Sequence, residues 1–326
     1  MPGIWRMAIG IIAKQMYLTV FIPGDFYGNT AIPYPAGCLP LCYYSFRTVK
    51  NIRITKASGA RAYYAPRKLR RSLRRAGAPA DLIRDIEAEI EREVYPGMST
   101  GDIYARAFQL LHGHSSHLAA RYKLKKAIME LGPSGYPFEH FVGALISHTG
   151  FRTQVGVFLE GRCVSHEVDV KAVRHQEKIL VECKYHNQSG FICDVKISLY
   201  VHARFRDIEA GMEGRGEDPR FEGWIVTNTR FSDDALRYGT CAGMRLVSWD
   251  YPARDSLKDM IDREKLYPLT CLTTLSGREK ELLLKQGLVL CRELLSREDA
   301  LRRARVSATR IPGVLQECNE LCGTGK

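Results

Sequence analysis

This 326-residue chain has no apolar run able to cross a membrane. Its best candidate, Ile9 to Ile22, is interrupted by Lys14 and falls short of the roughly 20 residues a spanning helix needs. A secretion cleavage pattern is missing too, so no membrane partner is expected. Ten cysteines are present, but they form no metal knuckle. Cys163, Cys183, Cys193, Cys241, Cys271 and Cys291 are scattered, mostly among apolar neighbours, while Cys38 with Cys42 and Cys318 with Cys322 bring no further ligands. They read as small buried residues of a protein in a reducing cytoplasm. No Walker motif occurs, so any nucleotide should be bound rather than hydrolysed. Acidic residues are in short supply: 48 Lys plus Arg against 36 Asp plus Glu leave a charge of +12. That balance suits a polyanionic partner held in a salt-sensitive way.

Length allows two or three domains, and 45% hydrophobic residues is ordinary for a globular protein. The most informative residues are Glu139, Asp169, Glu182 and Lys184, spread over a helix, a strand, a tight turn and a second strand. His166 to Val170 and Leu180 to Lys184 each alternate polar with apolar, as half-buried strands do. A hairpin turning at His175-Gln176 would set Asp169 opposite Glu182, with Lys184 two residues along on the same face. Facing carboxylates about 5 Å apart are hard to keep ionised without a cation between them. A hard divalent ion with oxygen ligands resolves the repulsion, and Mg²⁺ bound by carboxylates and phosphate oxygens is the usual form. Lys184 would point at the same space, able to deprotonate or orient a water or to offset charge on a phosphate. The plainer alternative is an exposed charged hairpin.

Residues from about 136 to 250 resemble the PD-(D/E)XK nuclease fold, most closely its Mrr-like restriction endonuclease branch. The matching residues are Phe138-Glu139, His166-Glu167-Val168-Asp169 and Glu182-Cys183-Lys184. Downstream, Trp224-Ile225-Val226-Thr227-Asn228 and Phe231-Ser232-Asp233-Asp234-Ala235 match the branch's later strand and helix. The resemblance implies Asp169 and Glu182 as metal ligands, joined by the Cys183 backbone carbonyl. It makes Lys184 the base or electrostatic stabiliser and Glu139 an outer ligand. No proline precedes Asp169, as in many families of this fold.

Upstream, Asn51 to Ala57 and Ala60 to Ala65 read as short strands joined by Ser58-Gly59, and Pro66 opens a helix. Helical spacing continues through Leu69, Leu73 and Ala76, then Ile83, Ile86 and Ile90, then Ile103, Ala107 and Leu110, then Leu124, Ile128 and Leu131. Residues from about 49 to 132 resemble an ATP-cone, a small nucleotide-binding regulatory domain. The resemblance rests on Ile54-Thr55-Lys56 with Ser58-Gly59, Lys68-Leu69 with Ser72-Leu73, Gly97-Met98-Ser99-Thr100 with Ile103-Tyr104, and Ala120-Arg121-Tyr122 with Leu124. It implies ATP or dATP as effector, Lys56 and Lys68 at the triphosphate, Thr100 and Tyr104 near the nucleotide, and Lys125 or Lys126 closing over it. Ala57 stands where many cones carry a second basic residue. The arginines from Arg67 to Arg75 read as a solvated helix face or a DNA-backbone contact.

The expected architecture is therefore an α+β cone (hairpin sheet plus helical bundle, 49–132), then an α/β nuclease domain with a mixed central sheet (136–252), then a small helical region (253–326). Residues 1–48 fit neither module and read as an unstructured leader or a misassigned start. In the C-terminal region Ser276 and Glu279 spell a capping box, with later helices from Arg297 and from Ile311. A helix from Asp194 to Ile208 should carry Lys196 and Arg204 toward DNA, with Tyr200 between them. The implied activity is ATP- or dATP-responsive, Mg²⁺-dependent hydrolysis of DNA, with room for a homo-oligomer. Two alternatives stand beside it: a nucleotide-gated nucleic-acid-binding regulator that does not cut, and a nuclease for RNA or branched DNA.

Overall fold

The computed structural model describes residues 51–323 apart from 57 and 189; the expected leader lies outside the described residues. In chain order the elements are β1 (Arg53–Thr55), β2 (Arg61–Tyr63), α1 (Pro66–Arg75), α2 (Ala80–Glu93), α3 (Thr100–His114), α4 (Ser116–Tyr122), α5 (Leu124–Met129) and α6 (Tyr136–His148). There follow β3 (Arg152–Glu160), β4 (Ser165–Arg174), β5 (Glu177–Lys184), β6 (Ile192–Cys193), α7 (Val195–Gly214), β7 (Glu222–Thr227), β8 (Arg230–Phe231), α8 (Asp233–Cys241) and β9 (Arg245–Val247). The chain closes with α9 (Leu257–Glu264), α10 (Gly277–Leu284), α11 (Glu298–Arg303) and α12 (Ile311–Cys322), with short 3-10 turns between them. Among the described residues no helix is long and apolar enough to cross a membrane.

The first hairpin closes with the Lys56 N–H donating to the Ala60 carbonyl at 2.8 Å; the expected strand end at Ala57 lies outside the described residues. Helix α3 buries Ile103, Ala107 and Leu111; Leu110, one position away, is only partly covered. Spacings of four along a helix point the same way as spacings of three and four, so the stripe admits either leucine. Together with Ile54, Tyr64, Leu73, Ile86 and Ile90 these residues form one core. Leu124, Ile128 and Leu131 do not join it. They pack with Phe138 and Phe141 of α6, with Val170 and Val181 of the sheet and with the C-terminal helices in a second, larger core. The capping box at Ser276 and Glu279 is formed and starts α10.

The central sheet is mixed, ordered β3-β4-β5-β7-β9, with β3, β4 and β5 antiparallel and β5, β7 and β9 parallel. Arg174 pairs with Glu177 and Val170 with Val181, the register a turn at His175-Gln176 requires. Strict alternation would send Val168, Val170 and Ala172 to one side. Instead Val170 and Ala172 face α6 while Val168 packs with Val201, Phe205 and Ile208 of α7. The neighbouring strand switches at the same level, since Val155 packs on the α6 side and Val157 on the α7 side. Gly156 between them sits at φ +65°, a conformation costly for other residues. Asp169 therefore stands at a crossing point of the sheet, and α7 covers the far layer. Gly211 lets α7 approach the β3–β4 turn, because a Cβ there would lie 2.5 Å from the Gly161 carbonyl carbon.

Candidate functional site

Backbone bonds fix the end of β5. The parallel ladder pairs Lys184 with Thr227, and the Thr227 hydroxyl donates to the Lys184 carbonyl at 2.7 Å. Asn228, buried, then holds His186 from both sides: its side-chain amide donates to the His186 carbonyl at 2.6 Å, and its side-chain oxygen accepts from the His186 N–H at 2.9 Å. Glu139 comes from the first turn of α6, a helix opened by Pro137 and anchored by Phe138, Phe141 and Val142.

The ladder between β4 and β5 ends at Val170 and Val181, one pair before Asp169 and Glu182. Asp169 is not a regular cross-strand partner; its carboxylate accepts the Cys183 N–H at 2.6 Å. Glu182 is only 4% exposed and both its oxygens are engaged. Lys184 Nζ lies 2.6 Å from Oε1 and Arg204 Nη1 2.5 Å from Oε2. Arg204 also donates to the Glu167 carbonyl and lies 5.4 Å from the Tyr200 ring centre. Arg204, expected to face DNA, is held here by the buried Glu182 carboxylate and the Glu167 carbonyl. Lys196 is exposed, and among the described residues its ammonium has no ion-pair partner.

Burial, then the charges of Asp169, Glu167 and Glu182, push the Glu139 carboxyl up to about 7. Burial and the Glu182 charge push Asp169 up to about 6, against the Cys183 N–H that favours its anion. Burial works against the Lys184 ammonium, but the charge and hydrogen bond of Glu182 outweigh it and raise the pKa. The Cys183 thiol is buried and its pKa strongly raised, so it supplies no thiolate.

Buried carboxyls crowded together in this way give up protons more readily when a cation joins them. Oxygen donors of this kind fit a hard divalent cation. As folded, Glu182 faces its two cations, and among the described residues no three His, Cys, Asp or Glu side chains are grouped closely enough to hold a metal. The donor chemistry fits the ion; the arrangement would have to open to accept it.

Lys56, Lys68, Thr100 and Tyr104 line one cavity of about 260 Å³ between the first hairpin, α1 and α3. Among the described residues neither lysine has an ion-pair or side-chain hydrogen-bond partner. Tyr64 and Tyr104, on the wall of the cavity, keep buried hydroxyls without a partner, an uncommon condition for buried polar atoms. Tyr104 stacks on Tyr122 with ring centres 5.0 Å apart. Lys125 and Lys126 do not close over this cavity: Lys125 lies over the Trp249 ring at 5.8 Å, and Lys126 lines a different one. Sequence reasoning missed Tyr64 and the pairing of Arg204 with Glu182. Tyr64, directly after β2, carried a signal as an aromatic beside a basic pocket; Arg204 carried none.

Two family models match the chain: one described as restriction endonuclease (Mrr_cat) over residues 132–253, the other as AF1548-like, C-terminal, over residues 267–322. An uncharacterized protein of Archaeoglobus fulgidus is 34% identical over 183 residues, 55% of this chain and 98% of its own length. A solved protein of unknown function, AF1548, is 34% identical and covers 59% of this chain and 100% of its own, with a TM-score of 0.48. The MspJI restriction endonuclease, solved with a 27-mer oligonucleotide, is 16% identical, covers 45% of this chain and 32% of its own, and has a TM-score of 0.30.

Proposed function

The chain belongs to the AF1548-like family and carries a restriction endonuclease domain of the PD-(D/E)XK type at residues 132–253, and from that premise we propose that it is an ATP- or dATP-responsive, Mg²⁺-dependent DNA endonuclease. The observation that carries the reading is the convergence of Glu139, Asp169, Glu182 and Lys184 from α6, β4 and β5, with two of the carboxyls held near neutrality. Asp169, Glu182 and the Cys183 carbonyl would hold Mg²⁺, with Glu139 outside them; when bound, the ion makes water more acidic and offsets charge on phosphorus oxygens.

The chain's own residues supply the rest. Lys184, kept protonated by Glu182, acts as a positive charge beside the scissile phosphate rather than as a base. Arg204, released from Glu182, becomes available to the phosphate backbone, and Lys196 holds the strand nearby. The cone, residues 49–132, would take the triphosphate on Lys56 and Lys68, with Thr100 and Tyr104 beside the nucleoside, and bias access to the hairpin.

One observation favours a second reading. Glu182 with both oxygens already neutralised is what a nucleic-acid-binding regulator without cleavage would also show. Cleavage of supercoiled plasmid by purified protein, with and without Mg²⁺ and crossed with ATP and dATP, separates the two. Nicked or linear product that needs Mg²⁺ and changes in rate with nucleotide supports the proposal. Shifted but uncut DNA in every arm overturns it.

A further inference from the structure

A second cavity, of about 760 Å³, lies between α3, the end of α5 and the start of the C-terminal helices. It shares only Tyr104 with the cavity of Lys56 and Lys68. Lys123, Lys126 and Lys280 converge on it. Lys123 and Lys280 both donate to the Thr270 carbonyl, at 3.2 and 3.1 Å. Glu130 answers two of the three, at 2.7 Å from Lys123 and 3.8 Å from Lys126. Lys280 is 8% exposed, and among the described residues no carboxylate pairs with it. The other carboxylate on the rim, Glu281, is exposed and paired with Arg278 at 3.1 Å.

A buried ammonium bonded to a shared carbonyl beside a second ammonium is unusual, because lysine is almost never fully buried unless paired. Burial, then the charge of Lys123, lowers the Lys280 pKa to about 8. Lys123 and Lys280 at the inner wall and Lys126 at the exposed rim, set against Glu130, leave about two positive charges uncompensated around the cavity, the complement of a phosphate monoester near pH 7. Phe108, Met129, Leu272 and Leu284 give the cavity an apolar stretch of wall, with the polar His112, Asn187 and Thr273 beside it. Its volume lies within the roughly 300–1,000 Å³ of small-molecule sites, and bare phosphate would leave most of it unfilled.

We propose that this cavity is a binding site for a phosphate-bearing small molecule of mononucleotide size, its phosphate held by Lys123, Lys126 and Lys280 and its body against Phe108, Met129 and Leu272. The site is separate from the cone cavity and does not depend on the nuclease assignment.

Calorimetry on the full chain tests it with two probes, AMP and inorganic phosphate. AMP should bind the wild type more tightly than phosphate does, and Lys280→Met should weaken AMP at least tenfold. Lys126→Ala, at an exposed position whose loss leaves the core intact, should weaken it severalfold and carries the test if Lys280→Met does not fold. The same titrations in the Lys56→Ala, Lys68→Ala background remove any contribution of the cone cavity, and there AMP should still bind and still be weakened by Lys280→Met and Lys126→Ala. The proposal is overturned if AMP gives no heat at millimolar concentration, or if phosphate binds as tightly as AMP. Loss of AMP binding in the Lys56, Lys68 double variant with retention in Lys126→Ala and Lys280→Met would also refute it, by placing the ligand in the cone cavity.

Discussion

The hairpin site and the cavity of Lys56 and Lys68 hold opposite charge states. At the hairpin, Glu182 is saturated by Lys184 and Arg204 while Glu139 and Asp169 are left near neutrality. In the cavity between the first hairpin, α1 and α3, Lys56 and Lys68 have no counter-charge among the described residues, and Tyr64 and Tyr104 keep unanswered hydroxyls. The first site has negative charge in excess and is closed by its own arginine. The second has positive charge in excess and is open. One therefore calls for a cation and a rearrangement, the other for an anion and little movement.

The largest expected effect removes the hairpin chemistry. Asp169→Asn or Lys184→Ala should slow Mg²⁺-dependent plasmid cleavage by roughly a thousandfold while DNA affinity in a gel-shift assay stays within a few-fold, since affinity is spread over many basic contacts. Wild-type rates in either variant would remove the assignment. Next, replacing Lys56 and Lys68 together with Ala should cost about a hundredfold in ATP affinity by calorimetry, with basal cleavage retained. Unchanged ATP binding would break the contrast between the sites.

A smaller change sharpens the account of the closed state. Arg204→Met leaves Glu182 with one cation, so half-maximal cleavage should need roughly fivefold less Mg²⁺. If DNA affinity falls and the Mg²⁺ requirement does not, Arg204 is a DNA contact and not a latch. The smallest effect is on stability. The folded-state pKa of Asp169 lies above its ordinary value, so its contribution favours folding at low pH and is lost as pH rises through about 6. Metal-free Asp169→Asn should therefore melt roughly 2–4 °C above wild type at pH 8, the gap narrowing through the acid range and closing only below about pH 4. A lower melting temperature for the variant at pH 8 would contradict the charge imbalance.

What could be read from sequence was local. The turn at His175-Gln176 determined the β4–β5 register because pairing across a two-residue turn leaves no freedom. The capping box of Ser276 with Glu279 was equally plain. Long-range facts were hidden. The switch of faces at Asp169 depends on Gly156 in the neighbouring strand, and no alternation pattern reports it. Arg204 reaches Glu182 only because α7 lies across the sheet, and Lys123 meets Lys280 only because α5 and α10 share one core. The helix of Leu124 and Ile128 showed its period but not which core would receive it.

The central claim, that the hairpin lacks a cation which it binds by giving up protons, is tested most directly by calorimetric titration of the full chain with Mg²⁺ at pH 6 and pH 8. Because Glu139 and Asp169 titrate near 7 and 6, binding should be tighter at pH 8. At pH 6 it should release protons, seen as a heat that varies with the ionisation enthalpy of the buffer, and Asp169→Asn should abolish it at both. Equal Mg²⁺ affinity at the two pH values, or binding that survives in Asp169→Asn, would contradict the account.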